Sequence, residues 1–315
     1  MKILIFGGSG FLGNSIVCKD GFDNYQFHIA DIIEPKSSNL FSLVNIAKKD
    51  DFANISGNFD AIINLAAAHR DDIEPKSLYY DVNVQGSINI CDFARKQSID
   101  KIIFVSSAAV YGNSSKEVFE DSEHNYFNKY GETKSQAEKI YEKWLDEDKF
   151  NRNLTIIRPT VIFGPGNRGN VYNLISSIAK NKFLMIGDGK NRKSMCYVEN
   201  VADFIIFSLN FKGKNIYNYV DKPDLSMLKL VNLIHEELGI KRKNFFIPKN
   251  IGFLFGAIFD IFKKIFKIDL PISYIRIKKF TANSIFGTNI KNTSFRPAFK
   301  LKDSLIKTIR SEFKK

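Results

Sequence analysis

The sequence predicts an α/β fold built on a doubly wound parallel sheet, with a smaller, discontinuous second domain towards the C-terminus. Short apolar runs rich in β-formers alternate with helical stretches, and a glycine-rich loop directly follows the first run. The 315 residues suffice for roughly two average domains of ~150 residues. At 44% hydrophobic and 25% charged residues, the composition is globular and excludes a disordered, collagen-like or polytopic membrane chain.

Five runs are predicted to form the sheet: KILIF at 2–6, QFHIA at 26–30, AIINLA at 61–66, KIIFV at 101–105 and LTII at 154–157. They are continuous rather than alternating, as strands buried on both faces must be. The intervening helices indicate parallel pairing through right-handed crossovers. GPGNRGN, from residue 164, breaks this rhythm and shorter elements follow. We therefore predict a first domain over 1–163 and a second, mainly separate domain over 164–315.

The loop Gly7–Gly13, GGSGFLG, lies between the first strand and a helix. Its glycines permit a tight turn and a close backbone approach to a pyrophosphate, and the helix N-terminus presents N–H groups to the anion. Asp31 ends the second strand 18 residues after Gly13, where a carboxylate binds ribose hydroxyls. The pattern predicts a Rossmann-type dinucleotide site. NAD is favoured over NADP because Asp31 would repel a 2′-phosphate and is followed by Ile32 and Ile33 rather than arginine.

A second constellation follows the fourth predicted strand. Ser107 ends that strand, and Tyr130 and Lys134 form a Y-x-x-x-K pattern whose spacing places both side chains on one helix face. A tyrosine titrates near 10, so acting as a base near neutral pH requires a decrease of ~3 pKa units, or ~4 kcal/mol. A nearby ammonium group can supply much of that. A chance surface pair is the alternative, but the agreement with the glycine loop and Asp31 favours a catalytic role.

Seven segments, GGSGFLG, NLAAAH, DVNVQGSINI, KIIFVSSAAVYG, YGETK, RPTVIFGPG and YVENVAD, follow one another along the chain. In this order they resemble the extended short-chain dehydrogenase/reductase family of nucleotide-sugar epimerases and dehydratases. The resemblance implies that Ser107 hydrogen-bonds the reacting hydroxyl, Tyr130 is the acid/base, and Lys134 holds the nicotinamide ribose and tunes Tyr130. The expected NAD contacts are Gly7, Gly10, Phe11, Leu12, Gly13, Asp31, Asn45, Ile46, Leu65, Ala66, Ala67, Tyr130 and Lys134.

Four departures from the family pattern narrow the expected activity. Ala108 and Ala109 stand where dehydratases carry an Asp-Glu pair, which argues against a 4,6-dehydratase. Asn45 replaces an adenine-contacting aspartate. Lys193 replaces an arginine, and Thr160 and Val161 follow Arg158-Pro159 where members that bind nucleotide sugars often have asparagine.

Longer stretches, AAAHRDDIEPKSLYYDVNVQG, RPTVIFGPGNRGNVYNL, KSMCYVENV and IYNYVDKPDLSM, more closely resemble bacterial epimerases of diphosphoundecaprenol-linked N-acetylglucosamine. The resemblance implies interconversion of GlcNAc and GalNAc at C4: Tyr130 takes the hydroxyl proton, NAD takes the hydride, and the 4-keto sugar reorients before reduction. Candidate substrate contacts are His69, Arg70, Ser107, Arg168, Asn170 and Lys193. For the loop residues among them a solvated role is the alternative. A soluble nucleotide-sugar 4-epimerase or 4-keto reductase remains the alternative activity.

The net charge of +12 is concentrated at the C-terminus, because residues 240–315 hold 18 Lys and Arg against four Asp and Glu. Residues 251–270 predict an amphipathic helix, with Leu254, Ile258, Ile261, Ile265 and Ile268 opposite Asp260, Lys263, Lys264 and Lys267; Arg276, Lys278 and Lys279 follow. An apolar face beside lysines suits contact with an anionic membrane surface. The alternatives are packing on the same domain or in a homodimer. A nucleic-acid partner is not expected, since aromatics do not interleave with the lysines.

The remaining features concern location. MKILIF is shorter than the apolar core of a secretion signal, and no apolar run reaches the ~18 residues of a spanning helix. Cys18, Cys91 and Cys196 are too few and too scattered for a disulfide framework or a metal site, so we expect small core residues in a reducing compartment. The prediction is a cytoplasmic protein, peripheral on the inner face of the cell membrane, without a metal.

Overall fold

A computed structural model describes residues 1–70, 73–112, 114, 116–241, 246–266 and 274–314, with side chains for all of these except 261–266, 275, 276 and 279. The strands are β1 Lys2–Phe6, β2 Gln26–Asp31, β3 Leu40–Leu43, β4 Ala61–Asn64, β5 Lys101–Val105, β6 Asn153–Pro159, β7 Val161–Phe163, β8 Met185–Ile186, β9 Arg192–Lys193, β10 Met195–Tyr197, β11 Lys214–Tyr219, β12 Leu225–Ser226 and β13 Phe246–Ile247.

The α-helices are α1 Phe11–Val17, α2 Leu78–Tyr80, α3 Gly86–Lys96, α4 Lys129–Asp146, α5 Asn170–Ala179, α6 Val198–Phe207, α7 Met227–Leu238, α8 Lys249–Phe266, α9 Tyr274–Thr281 and α10 Leu301–Phe313. A π-helical segment, Asp81–Gln85, joins α2 to α3, and 3-10 turns occur at Lys49–Asn54, Ala108–Tyr111, Ser208–Asn210 and Asn289–Asn292. The long helix α4 begins where Asn128 accepts the Gly131 N–H at 2.9 Å, as an N-cap does.

Seven strands form one parallel sheet in the order β11-β6-β5-β4-β1-β2-β3. The five predicted strands are β1, β2, β4, β5 and β6, and the predicted doubly wound α/β class is confirmed. The strand order reverses at β1, which pairs with β2 on one side and β4 on the other. In such sheets ligands bind beyond the carboxyl ends of the strands at the reversal, which is where the glycine loop lies.

The sheet is buried on both faces, as the continuous apolar runs require. Ile3 and Ile5 of β1 belong to a core shared with α1, α5, α6, α7 and α10. Leu4 and Phe6 of the same strand face the other side, in a core shared with α3 and α4. Alternate residues of one strand therefore pack against the helices on opposite faces of the sheet. This packing fixes the strand ends and the loops that follow them.

Two edge strands of the sheet lack a continuous apolar pattern. β3 carries Leu40 and Leu43 exposed, and β11 reads KNIYNY with only its last two residues buried. β11 is an edge strand of the main sheet, and α6 packs on one face of that sheet. Part of the chain after residue 164 therefore completes the sheet and its helical layer. In the described residues, the other strands after residue 164 form three small two-stranded sheets, β10 with the preceding β7, β9 with β12 and β8 with β13. The division at 163/164 stays a prediction.

The cysteine prediction is wrong in one respect. Cys91 and Cys196 are buried as expected, but Cys18 is exposed because it caps the C-terminus of α1, where the helix meets a polar surface turn.

Helix α8 overlaps the predicted amphipathic segment. Within the described helices, none is long and apolar enough to cross a bilayer. Residues 267–270, with Lys267 and Ile268, lie outside the described residues, as do the side chains of Ile261, Lys263, Lys264, Ile265, Arg276 and Lys279.

Candidate active site

The glycine loop after β1 forms a cradle that side chains would fill. Gly7 has φ +77°, a backbone conformation that favours glycine, and a Cβ there would lie 2.6 Å from the backbone nitrogen of Ala66. A Cβ at Gly13 would overlap the carbonyl of Gly8. Gly10 precedes Phe11, the first residue of α1, and has no side chain to cap that helix. The backbone is thus left open to a close ligand, as the predicted pyrophosphate site requires.

Asp31 lies at the carboxyl end of β2, beside this loop. Its Oδ2 accepts the Ser9 N–H at 2.9 Å, and its Oδ1 accepts the N–H groups of Ile32 at 2.7 Å and Ile33 at 3.3 Å. The carboxylate is half-buried. Asp31 therefore joins the glycine loop to the end of β2 and places a negative charge where the ribose of a dinucleotide is expected.

Buried asparagine side chains hydrogen-bond the backbone of the neighbouring loops, which carry further predicted cofactor contacts. Asn64 accepts the Ala66 N–H at 3.0 Å and donates to the Tyr141 hydroxyl at 2.7 Å, which fixes the loop that carries Leu65, Ala66 and Ala67. Asn89 donates to the Ile46 carbonyl at 2.7 Å.

Asn45 lies just before Ile46, with its side-chain oxygen accepting the Ala47 N–H at 3.0 Å. The predicted cofactor residues after β1, β2 and β4 thus lie at the same sheet edge. The residues present fit a dinucleotide.

Ser107 and Tyr130 meet at the carboxyl end of β5. The Ser107 hydroxyl accepts the Ala109 N–H at 3.1 Å and lies close enough to the Tyr130 phenol to influence it. Burial raises the pKa of the Tyr130 phenol, and the interaction with the Ser107 hydroxyl opposes that rise. The direction differs from the lowering that we predicted from the lysine, because desolvation is the largest effect on the phenol here.

Lys134 is 2% exposed and lies one turn after Tyr130 on α4. Its Nζ donates to the Val105 carbonyl at 2.7 Å and lies 4.3 Å from the centre of the Phe104 ring. Burial lowers the pKa of Lys134 to about 7, while the nearby Glu138 acts to raise it. Near neutral pH this amine is poised between its two protonation states, which suits a group that exchanges charge with an acid/base partner.

A buried ion pair, not predicted from the sequence, joins α4 one turn after Lys134 to strand β6. Glu138 is 1% exposed and accepts from Arg158 Nε at 3.0 Å and from a terminal guanidinium nitrogen at 2.6 Å. Arg158 also donates to the Tyr111 hydroxyl at 2.5 Å. One signal was available: Glu138 falls four residues after Lys134, so a charge recurs on the apolar face of α4. Identifying its partner required the tertiary structure.

The predicted substrate residues after β4 lie on the loop that leads towards α2. His69 is exposed, with Nδ1 3.3 Å from the Ala67 carbonyl oxygen. Arg70 is exposed, and its carbonyl accepts a hydrogen bond from the Tyr79 hydroxyl. Their loop begins directly after the cofactor residues, at the same sheet edge.

The other predicted substrate residues belong to the second half of the chain. Arg168 pairs with Glu312 of α10 at 2.7 Å and lies over the Tyr172 ring, while Asn170 is exposed at the start of α5. Lys193 lies in β9, and burial lowers its pKa to about 8. An ammonium group in a desolvated setting gains most from an anion. Substrate roles for these residues stay predictions.

In chemical terms, groups capable of proton transfer lie at the sheet edge that also carries the glycine loop. The phenol of Tyr130, the hydroxyl of Ser107 and the amine of Lys134 can hydrogen-bond and exchange protons with a bound alcohol. Among the residues that the structure describes, no group of three or more His, Cys, Asp or Glu side chains could hold a metal ion.

Comparison with curated proteins identifies close relatives. The chain is 41% identical over 318 residues to the N-acetyl-alpha-D-glucosaminyl-diphospho-ditrans,octacis-undecaprenol 4-epimerase of Escherichia coli O157:H7, covering 99% of this chain and 95% of that protein. It is 30% identical to a putative UDP-glucose 4-epimerase of Methanocaldococcus jannaschii over 83% of this chain and 90% of that protein.

Solved structures show the same fold. A UDP-glucose 4-epimerase from Thermotoga maritima, solved with UDP-glucose, aligns with a TM-score of 0.77 at 19% identity, covering 99% of this chain and 98% of that chain. A Thermus thermophilus UDP-glucose 4-epimerase in complex with NAD aligns with a TM-score of 0.76 at 17% identity, with the same coverage. The profile of one family spans residues 3–219, which include the glycine cradle, Asp31 and the Ser107–Tyr130–Lys134 group. The chain therefore belongs to the NAD dependent epimerase/dehydratase family.

Proposed function

We propose that the protein is an NAD-dependent 4-epimerase that interconverts GlcNAc and GalNAc on a polyprenyl diphosphate carrier such as undecaprenol. The observation that carries the proposal is the 41% identity over nearly the whole chain to an epimerase of this substrate. The conjunction of Ser107, Tyr130 and Lys134 at the end of β5 supports it, since a residue set for reversible proton transfer is what a sugar oxidation and reduction requires.

The chain's own residues bind the sugar alcohol and move its proton. Tyr130 takes the C4 hydroxyl proton and later returns it, and the Ser107 hydroxyl, which lies beside the phenol, orients the C4 hydroxyl. Lys134 stabilises the phenolate when it carries its proton. Between the two half-reactions the ketone must turn to present its opposite face. The site must therefore hold the diphosphate end while leaving the sugar ring free to rotate.

The cofactor residues are those described around the glycine cradle. Gly7, Gly10 and Gly13 would leave room for the pyrophosphate, Asp31 would accept from the adenosine ribose, and Lys134 would hold the nicotinamide ribose. When bound, NAD supplies a hydride acceptor and donor at C4, so no net redox partner is consumed. The same arrangement supports NAD rather than NADP, because the Asp31 carboxylate is tied to the loop by the Ser9 N–H and would repel a 2′-phosphate.

The basic residues among the predicted substrate contacts would suit an anionic substrate. Lys193, in a desolvated position, and the guanidinium groups of Arg70 and Arg168 are the groups that we propose to contact the diphosphate, with His69 and Asn170 beside them. To contact the diphosphate, Arg168 must give up its ion pair with Glu312.

The decisive experiment compares two substrates side by side. Purified protein with NAD is incubated with undecaprenyl-diphosphate-linked GlcNAc or with UDP-GlcNAc, and the released sugars are analysed for GalNAc. Exchange on the lipid-linked sugar supports the proposal. Exchange on the UDP-sugar alone would assign a soluble nucleotide-sugar 4-epimerase, the activity named for the Methanocaldococcus jannaschii relative. Net reduction of NAD to NADH, without return of the hydride to the sugar, would indicate a 4-keto reductase acting in reverse.

The exposed face of α8 supports peripheral contact with an anionic membrane. Four apolar residues at helical spacing, Ile251, Leu254, Phe255 and Ile258, are exposed. The opposite side packs inwards: a Cβ at Gly252 would lie 2.6 Å from Ile186, and one at Gly256 would lie 2.9 Å from the Tyr274 backbone. The apolar face thus does not pack on its own domain along the described part of the helix. A bilayer is the occupant that we propose, since the substrate is lipid-linked and exposed lysines, Lys249 and Lys278, lie nearby.

The location and pathway follow from these proposals. A protein that binds the cytoplasmic leaflet would meet lipid-linked sugars before they cross the membrane, so we propose the inner face of the cell membrane and a role in surface polysaccharide synthesis. We also propose that residues 1–163 mainly bind the cofactor and that residues 164–315 mainly bind the substrate. A homodimer through α8 is the competing use of the same surface.

A further inference from the structure

A cavity of about 430 Å³ lies where β9 meets β12 and the start of α7, and three basic side chains line it. They are Lys190, Arg192 and Lys229. Successive side chains of a strand point to opposite faces, so Arg192 faces this cavity while the next residue, Lys193, faces away from it. The cavity is therefore separate from the position that we propose for the diphosphate of the substrate.

The acidic groups nearby do not cancel this positive charge. Asp224 also lines the cavity, but its Oδ1 accepts a buried hydroxyl at 2.5 Å and its Oδ2 accepts the Lys222 ammonium at 2.7 Å. Arg192 donates to the Asp224 backbone carbonyl at 3.3 Å and lies 4.0 Å from the carboxylate. Lys190 is 86% exposed, and its ion pair with Asp188, at 3.7 Å, is open to water and weak.

The positive charge comes from side chains and not from the end of α7, because the first N–H groups of that helix have acceptors. Met227 and Leu228 donate to backbone carbonyls in the segment 189–191, at 2.8 and 2.9 Å. Lys229 donates its N–H to the Ser226 hydroxyl at 3.2 Å. An anion in the cavity would therefore be bound by the guanidinium group and the two ammonium groups.

The cavity lies beside the N-terminal end of α8. Gly187 follows β8, leads into the cavity lining at Gly189, and donates its N–H to the Ile247 carbonyl at 2.8 Å. A Cβ at Gly187 would lie 2.9 Å from Cε of Lys249, the first residue of α8, so the lysine stem crosses this loop. The exposed apolar row of α8 starts two residues later, at Ile251. A bilayer that covers that row would have its headgroups close to the cavity.

We propose that this cavity binds the phosphodiester headgroup of an anionic membrane lipid such as phosphatidylglycerol. Arg192 supplies a planar fork that suits a phosphate, and Lys190 and Lys229 supply point charges. The volume falls within the range of small-ligand sites. The inference rests on the proposed membrane contact of α8 and goes beyond it, because a saturable site for one headgroup differs from attraction to a charged surface.

Two variants separate a binding cavity from diffuse attraction. Arg192→Gln/Lys229→Gln removes two charges from the lining, whereas Leu228→Trp fills the cavity without a change in charge, since Leu228 also lines it. Lys139→Gln/Lys143→Gln is the matched control. It removes two exposed charges from α4, which packs on the other face of the sheet from α7. Circular dichroism and urea denaturation establish that each variant folds.

The measurement is co-sedimentation with phosphatidylglycerol vesicles and with phosphatidylcholine vesicles. On phosphatidylglycerol we expect both cavity variants to bind at least ~10-fold more weakly than wild type, and the α4 control to bind as wild type does. On phosphatidylcholine, whose headgroup carries its own cation, the loss should disappear. Wild-type affinity of Leu228→Trp for phosphatidylglycerol would overturn the proposal, because diffuse attraction depends on charge and not on an open cavity. An equal loss in the α4 control would overturn it too.

Two further arms identify the source of the phosphate group. Chloride is replaced by inorganic phosphate at equal ionic strength, and we expect wild type to stay on phosphatidylglycerol vesicles. Release of the protein would show that the cavity prefers the free ion and would overturn the headgroup assignment. Sugar exchange is also measured in neutral detergent micelles without phosphatidylglycerol. A raised KM of Leu228→Trp there would assign the cavity to the diphosphate of the substrate and would likewise overturn the proposal.

The outcome is distinct from that of the proposed function. Vesicle binding needs no sugar substrate, so absence of sugar exchange by wild type would reject the epimerase assignment and leave the vesicle results as they stand. Weak binding by the cavity variants together with normal binding by Leu254→Glu/Phe255→Glu would reject the contact of α8 and support the cavity. Normal binding by the cavity variants together with weak binding by that α8 variant would reject the cavity alone.

Discussion

The Asp31 carboxylate accepts the backbone N–H of Ser9 at 2.9 Å, so the charge that we assign to cofactor recognition also holds the glycine loop. Its second oxygen accepts the N–H of Ile32 at 2.7 Å. Recognition of the ribose and the shape of the pyrophosphate cradle are thus coupled through one side chain. Replacing Asp31 can therefore alter selectivity, loop geometry or both, depending on what the substitute can accept.

We expect Asp31→Asn to narrow the preference for NADH over NADPH. Asparagine can still accept the Ser9 N–H, but it lacks the charge that repels a 2′-phosphate and binds the ribose hydroxyls strongly. NADH affinity should fall about tenfold, as for one charge-assisted hydrogen bond, while NADPH affinity should not fall. Fluorescence titration with both cofactors measures this. Asp31→Ala, which loses the loop contact too, should weaken binding of both, and an unchanged preference in Asp31→Asn would exclude Asp31 as the selectivity residue.

Gly7→Ala should be far more damaging than Gly21→Ala, although both positions have positive φ, at +77° and +89°. A Cβ at position 7 would lie 2.6 Å from the Ala66 nitrogen, whereas nothing lies within 4 Å of one at position 21. Backbone strain alone costs ~1–2 kcal/mol. We expect Gly21→Ala to lose that much free energy of unfolding with normal NADH binding, and Gly7→Ala to lose more and to bind NADH poorly. Equal losses in urea denaturation would contradict the close approach.

Tyr130→Phe should abolish sugar exchange while leaving NAD bound. The substitution removes only the phenolic oxygen, which is the group that transfers the proton, and proton transfer by one positioned side chain contributes about 10²–10⁴-fold to rate. Exchange between GlcNAc and GalNAc on the lipid-linked substrate is followed by sugar analysis, and NADH affinity is measured in parallel. Ser107→Ala is the matched control and should lose less, because it removes an orienting contact. Activity within tenfold of wild type in Tyr130→Phe would require another base.

The sequence predicts those parts of the fold in which the local residue pattern reflects how a segment is buried. A strand buried on both faces must be continuously apolar, so β1, β4 and β5 were predictable. The edge strands β3 and β11 were not, because one side of each is open and their residues are mixed. The glycine loop was also local, since three glycines at fixed spacing have few other uses.

The missed features of the site depend on tertiary contacts. Glu138 and Arg158 lie on separate elements 20 residues apart, and only packing makes them a pair. The pKa directions of Tyr130 and Lys134 were equally inaccessible from spacing: the sequence placed the lysine near the phenol, but burial of both groups is the larger effect. Desolvation depends on the groups that surround a side chain in the folded protein, so it cannot be predicted from residue spacing.

The Lys134 side chain should make the protein more stable as pH rises from 7 towards 10. Burial lowers its pKa from an ordinary value near 10.5 to about 7, so in this range the unfolded chain holds a proton that the native protein has released. Because the unfolded state then binds more protons, the free energy of unfolding increases with pH, at up to ~1.4 kcal/mol per unit for one group. The effect is absent below pH 7, where both states are protonated.

Urea denaturation of wild type and Lys134→Met without cofactor at pH 7, 8 and 9 isolates this effect, since other titrating groups cancel in the difference. Methionine is one atom shorter than lysine, also unbranched, and has no charge to desolvate. We expect the stability of wild type relative to the variant to increase by about 2 kcal/mol from pH 7 to pH 9. A difference that stays constant over this range would show that Lys134 keeps an ordinary pKa in the folded protein.

Leu254→Glu/Phe255→Glu should release the protein from anionic vesicles. These side chains are 61% and 50% exposed on the outer face of α8, and burying one large apolar side chain contributes about 1.5–3 kcal/mol. In co-sedimentation with phosphatidylglycerol vesicles we expect the double variant to bind at least ~10-fold more weakly than wild type. Phe150 is a fully exposed aromatic in the turn after α4, distant in sequence from α8. The Phe150→Glu variant should bind vesicles as wild type does, and it controls for added negative charge.

Salt and lipid composition distinguish the two contributions to that binding. Neutral phosphatidylcholine vesicles, or added salt, should weaken wild-type binding because both remove the attraction between lysines and the anionic surface. Analytical ultracentrifugation tests the competing occupant: if the wild type is a dimer that the double variant dissociates, and neither protein binds vesicles, α8 is a subunit interface. The apolar row would then be buried against a second copy, and access to a lipid-linked sugar would have to be explained by another surface.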